Sequence, residues 1–208
     1  MVFESMIKPL TAIKKPWQLL FYGILVSTIG VFLGWWVFRD KADLVMIFLA
    51  VFACIPLMFH SLRHEEKLGL KINDSTKLLK RHSKVLLFYL FLFVGMTIGY
   101  VAWYVFLPAS MSQVVFKQQI ITIAQINTPA VVGQATHGGL FTKILLNNIK
   151  VMIFCILFSF FYGAGAIFIL TWNASVVAAA IGNIIKMGIA KYGATAGLGK
   201  MKIVCRIS

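Results

Sequence analysis

The chain has 208 residues, is 60% hydrophobic and has a mean hydropathy of +0.89. A water-soluble domain of this length cannot bury that much apolar surface, so the solvent for most of the chain is lipid. The formal net charge is +14, yet the cations flank hydrophobic runs and no RNA- or DNA-binding motif occurs, so nucleic acid is not expected as a partner.

The acids are unevenly placed. Glu4, Asp40, Asp43, Glu65, Glu66 and Asp74 are all of them, and residues 75–208 contain none. Cys54, Cys155 and Cys205 lie far apart, with no metal-ligand spacing and no disulfide framework. The length suits a single membrane domain over residues 1–188, an all-α polytopic transmembrane helix bundle with about five hydrophobic segments.

In chain order, residues 1–15 place Phe3, Met6, Ile7 and Leu10 among Lys8, Lys14 and Lys15, which suits a short helix on the membrane surface. The first span is expected over about 16–38. Pro16 fits a helix's first turn, and Trp17, Trp35 and Trp36 mark the two interfaces. This run is too long for a signal-peptide core and lacks a small-residue cleavage site, so it is expected to remain as a span. The short turn RDKAD (39–43) makes the second span, about 44–62, antiparallel to the first. Pro56 is expected to kink it.

Residues 63–84 carry seven cations: Arg63, Lys67, Lys71, Lys77, Lys80, Arg81 and Lys84. Asp74 and Ser75 are N-cap residues for a helix continuing into the third span, about 85–107. The connection 108–144 follows. Val115, Phe116, Ile120, Ile123 and Ile126 recur at helical intervals, which predicts an amphipathic helix lying on the bilayer, with a β-strand as the alternative. A fourth span is expected over about 148–171 and a short fifth over 172–187. Residues 189–208 form a poorly hydrophobic basic tail. The cation asymmetry places the N-terminus and the 63–84 loop in the cytoplasm and the 108–144 connection outside. The side of the tail depends on whether the fifth segment crosses completely.

No nucleophile–base pair and no zinc set can be assembled, so neither enzyme activity nor a metal or other cofactor is expected. His60 and His64 are four apart on one helix face, but they stand at the end of a span, where interfacial polar residues are common. The tail GATAGLGKM lacks the first Gly and the Ser/Thr of a phosphate-binding loop. Gly30–Gly34 and Gly95–Gly99 are GxxxG pairs that allow close helix approach, either within the bundle or in a homo-oligomer. Asn147 and Asn148 are expected at the outer interface. Asn173, between two apolar segments and followed by small residues, is expected to be a polar hinge or to bond a neighbouring helix.

The pattern L-x-N-N-x-x-V, a glycine-rich span, then Asn and a small-residue run ending in Gly resembles the stage II sporulation protein M family of integral membrane proteins. Here it is Leu145, Asn147, Asn148, Val151, Gly163, Gly165, Asn173 and Gly182. FYGAGAIFILTWNAS and LVMIFLAVFACIPL with the following HEEKLGL are similar to the family's archaeal branch, and Ala174 stands where the family often has Gly. The likeness covers about residues 1–185. It implies a non-enzymatic scaffold, multi-pass in the cell membrane, that recruits or organises other membrane or extracytoplasmic proteins. In sporulating bacteria the family member holds peptidoglycan-remodelling enzymes at the septal membrane. A transporter or permease subunit is the alternative, set against spans expected to hold no acid.

Overall fold

The computed structural model describes residues 16–69, 75–127 and 164–204, together with 142, 145, 146, 148, 149, 152 and 153. Among the described residues the regular elements are all helical: α1 (Trp17–Val37), a 3-10 turn (Arg39–Lys41), α2 (Ala42–Gly69), α3 (Ser75–Phe106), α4 (Ala109–Val115), α5 (Lys117–Asn127) and α6 (Ala164–Val204). Among the described residues, four stretches are long and apolar enough to cross a membrane: Trp17–Val37, Arg39–Ser61, Ser83–Phe106 and Gly165–Lys191. The protein is an all-α transmembrane helix bundle. The expected surface helix over 1–15 lies outside the described residues.

Local chemistry sets the boundaries. Pro16 needs no N–H partner at the entry to α1, and α1 closes where the Phe38 N–H returns to the Gly34 carbonyl at 3.0 Å. The Lys41 N–H bonds the Phe38 carbonyl at 2.9 Å, so the reversal takes one tight turn. Arg39 lies over the Trp35 ring, 5.5 Å from its centroid. Asp43 stands in the first turn of α2, where a carboxylate meets the positive end of the helix dipole. The helix α2 continues through Pro56. The helix α3 begins at Ser75. Helices α2 and α3 thus enter the predicted 63–84 loop from both sides, leaving only 70–74 between them.

Glycine decides how these helices meet. A Cβ on Gly23 would lie 2.7 Å from both the Leu92 carbonyl oxygen and the Met96 nitrogen, so α1 and α3 touch backbone to backbone. Gly95 presses on the Leu20 carbonyl and Gly99 on Ile24 and Ser27 in the same seam. On another face of α1, Gly30 meets the Met46 carbonyl and Gly34 meets Ala42 and Met46 of α2. Both GxxxG pairs therefore serve packing within the bundle.

The helix α6 packs against α3 and α2, completing a ring in which α1 stands diagonal to α6. Tyr22 ties α1 to α2 by donating to the Ala53 carbonyl at 2.6 Å. Ser61 and Tyr89 bond across the other diagonal at 2.9 Å. The core is filled by Leu19, Met46, Ile47, Phe88, Leu92, Met96, Tyr100 and Ile167.

Contact levels along the axes give the helix directions. Leu20 meets Gly95 and Ser27 meets Gly99, so α1 and α3 run parallel. Thr171 reaches Met96, Gly182 lies on Tyr104 and Lys186 reaches Leu107, so α6 runs parallel to both. Ala164 is about two turns from Thr171, away from the α1–α2 turn. The helix α6 thus starts toward the α2–α3 end of the bundle and emerges at the end that carries the α1–α2 turn.

The predicted division of the last two spans at 171/172 is not present. A continuous helix of 41 residues crosses that point and extends through most of the predicted tail. Thr171 bonds the Ile167 carbonyl, Asn173 the Ile169 carbonyl and Ser175 the Trp172 carbonyl. Each polar side chain is thus satisfied by its own helix and has no need of a break. Of the predicted fourth span, 164–171 belongs to α6, and residues 148, 149, 152 and 153 are helical. The rest of that span lies outside the described residues.

Close approach at the α1–α3 seam makes a specific demand. Gly95→Ala is expected to lower the thermal unfolding midpoint in detergent by about 2–12 °C, from an overpacking cost of about 1–3 kcal/mol. Gly188, where an added Cβ would meet nothing within 4 Å, is the control. Gly188→Ala should leave the midpoint unchanged or raise it, as helix propensity favours Ala.

Candidate functional site

Gln119, Ser175 and Lys186, whose side chains join separate elements, gather at the α1–α2 end of the bundle. Pro108 ends the path of α3 and opens α4, a short helix too polar to continue the span. Its last residue Val115 and the following Phe116 turn inward and are fully buried. The Phe116 ring meets those of Tyr100 and Tyr104 edge-on, with centroids 6.3 Å and 5.1 Å away. The apolar periodicity of this connection was legible in the sequence, but it marks two helices, interrupted at Phe116 and packed on the bundle. A single helix lying on the bilayer was the expectation. The helix α5 instead finds its apolar partners in α2 and α6.

One turn beyond Phe116, Gln119 is fully buried. Its Nε2 donates to the Asp43 backbone carbonyl on α2 and to Ser175 Oγ on α6, both at 3.3 Å. Ser175 Oγ in turn donates to the Trp172 carbonyl at 2.7 Å. Asp43 is 4% exposed, and its Oδ1 accepts the Leu44 N–H at 2.9 Å. The expectation that no acid lies in a span is thereby corrected: Asp43 lies within the stretch Arg39–Ser61. The charge of the RDKAD turn hides the early start of α2 at Ala42.

Lys186 forms the second joint. Its Nζ donates to the Leu107 carbonyl at 2.8 Å and to Ser112 Oγ at 2.9 Å. It also lies 5.0 Å from the Tyr104 ring centroid. A cation here meets a carbonyl just past the end of α3, at the negative end of that helix's dipole. Together Gln119 and Lys186 fasten α4 and α5 to α2, α3 and α6. The chemistry of this cluster is attachment by hydrogen bonds.

The residues singled out by the family-like pattern are scattered relative to this cluster. Gly182 belongs beside it, since a Cβ there would lie 2.5 Å from Tyr104 Cδ1. Gly165 is buried near the other end of α6. Asn173 is exposed on the outer face of α6 and bonds its own helix at 2.8 Å. It is neither a hinge nor, among the described residues, a bond to a neighbouring helix. Asn148 is helical and exposed, while Asn147 and Gly163 lie outside the described residues. Among the described residues no three His, Cys, Asp or Glu side chains form a group able to hold a metal.

Sequence reasoning missed Gln119, Ser175 and Lys186. The available signal was a glutamine within the apolar periodicity, three residues after Phe116, and a lysine four residues after Gly182 at the end of an apolar run. No family model, curated protein or solved structure matches the chain.

The geometry reverses the ranking of amides that depth alone suggests. Gln119→Leu is expected to destabilise the protein by about 1–3 kcal/mol, since it removes two buried interhelix bonds. Asn173→Leu is expected to cost under about 1 kcal/mol, since it removes one bond within a helix at an exposed position. Unfolding in mixed micelles measures both, and a larger loss for Asn173→Leu would contradict the assignment.

Proposed function

We propose that this chain is a non-enzymatic scaffold of the stage II sporulation protein M type, which recruits or organises other proteins at the cell membrane. The observation that carries the reading is α6. Its apolar stretch ends at Lys191, yet the helix continues to Val204. At 1.5 Å per residue its 41 residues extend about 60 Å, roughly twice the hydrocarbon thickness. Lys186 and Gly182 fix the root of this extension against α3 and α4. A rigid helix held at its base and projecting from the bundle supplies a docking arm for a partner protein. The family-like residues and the glycine-locked bundle support the same reading.

The orientation proposed with it has a cytoplasmic N-terminus. Three lysines precede the first span and seven cations occupy 63–84, against Arg39 and Lys41 in the α1–α2 turn. On this orientation the α4–α5 cap and the extension of α6 face outward. The rival reading, a transporter or permease subunit, draws on the buried polar cluster of Asp43, Gln119 and Ser175.

Single-cysteine variants in a background without native cysteines test the topology. Asp40→Cys and Lys191→Cys should react with an impermeant reagent from outside, and Thr76→Cys only after permeabilisation. The mirror-image pattern would refute the orientation, and labelling of 40 and 191 from different sides would refute the direction of α6.

Affinity capture from native membranes tests the function. At least one other protein should co-purify stably, and deletion of residues 192–208 should abolish that capture while leaving the bundle folded. Purified protein in liposomes should show no ion-coupled uptake. Solute accumulation that follows an imposed ion gradient would move the function to transport.

A further inference from the structure

The helix α3 is longer than the bilayer requires. Its apolar stretch begins at Ser83, yet the helix starts at Ser75. The first two turns therefore stand beyond the hydrocarbon, at the end of the bundle opposite the α4–α5 cap. The sequence over 75–84, STKLLKRHSK, holds Lys77, Lys80, Arg81 and Lys84 and no acid.

The extension of α2 at the same end is built differently. Past Ser61, where its apolar stretch ends, Arg63 and Lys67 are interleaved with Glu65 and Glu66. Arg63 also lies over the Phe59 ring, 4.4 Å from its centroid. Charge on that helix is balanced within the helix. On α3 it is not, and cations in the first turns of a helix oppose its dipole. Four of them there point to a partner outside the helix.

The register shows what kind of partner. Ile98, Val94, Leu87, Lys84, Lys80 and Lys77 follow one another along α3 at helical intervals, so they share one face. Ile98, Val94 and Leu87 are exposed on the flank of the bundle. Lys84 is exposed one turn before Leu87. A single stripe thus passes from apolar to cationic at the level where the membrane-crossing stretch begins. From Leu87 to Ile98 it rises about 16 Å, close to the hydrocarbon depth of one leaflet. Cations that only set orientation need no such alignment, since the positive-inside rule counts them without regard to helix face.

We propose that this face of α3 binds an anionic phospholipid. Its phosphate lies at Lys84 and Lys80, and one acyl chain runs along Leu87, Val94 and Ile98. A zwitterionic lipid would bring its own cation to the cluster. A nucleic acid or an acidic protein would meet the cations and leave the apolar half of the stripe unused. Clustered Lys and Arg beside a membrane span are suited to anionic headgroups. The site requires only that the bundle sit in a bilayer, and it is independent of the scaffold reading.

Titration of phosphatidylglycerol into the full-length protein in detergent, with bound lipid counted by native mass spectrometry, tests it. The wild type should bind its first phosphatidylglycerol more tightly than phosphatidylcholine. The double variant Lys80→Gln/Lys84→Gln should bind it about fivefold or more weakly. Glutamine matches lysine in helix propensity, so α3 should keep its fold. Arg39→Gln/Lys41→Gln removes the same charge at the opposite end of the bundle and should leave the affinity unchanged. Glycerol phosphate, which carries the anion without the chains, should not displace the lipid at matched ionic strength. Equal affinity of the wild type for the two lipids would overturn the proposal. Equal weakening in both double variants would do so as well, since it would reduce the effect to net charge. Displacement by glycerol phosphate would replace the lipid with a soluble anion and overturn it too.

Discussion

The approach of α1 to its two neighbours at backbone distance is the constraint on which the bundle depends. Lipid offers little hydrophobic reward for bringing helices together, so dispersion and close fit must supply the drive. Gly23, Gly95 and Gly99 remove the side chains that would hold α1 and α3 apart, and Gly30 and Gly34 do the same toward α2. With two faces of α1 committed in this way, α2 and α3 are held on either side of it, and α6 fills the remaining place in the ring.

The cap solves a second problem, which is how to attach short polar elements to the end of an apolar bundle. Phe116 supplies buried area and Gln119 supplies direction, since its amide bonds α2 and α6 together. Lys186 then connects the emerging α6 to the chain just beyond α3 and to α4. Lys186, five residues before the apolar stretch of α6 ends at Lys191, thus anchors the root of the extension. This combination of a locked bundle and a rooted helix underlies the proposed scaffold role.

Polar residues in the spans divide by partner. Thr97 and Asn173 bond carbonyls one turn back on their own helices. Such residues can sit in an apolar helix without organising anything beyond it. Tyr22, Ser61, Gln119 and Lys186 bond other elements. This second group carries the tertiary information, and its members are not distinguishable from the first by residue type or by depth along the sequence.

Hydropathy and length by themselves determined that this is an all-α membrane bundle, because about 20 apolar residues in lipid must form a helix to satisfy their backbone groups. The first three spans, the α1–α2 reversal and the helix start at Ser75 were legible for the same reason, as was the close packing implied by the two GxxxG pairs. Tertiary structure alone decided that the helix continues through Asn173, because the amide's choice between its own helix and a neighbour depends on which way that face of α6 points. It also decided that Gln119, Ser175 and Asp43 meet. Those residues are distant in sequence, and their meeting requires parallel α3 and α6 and an inward turn at Phe116. Neither follows from local periodicity, which records that a face is apolar but not what covers it.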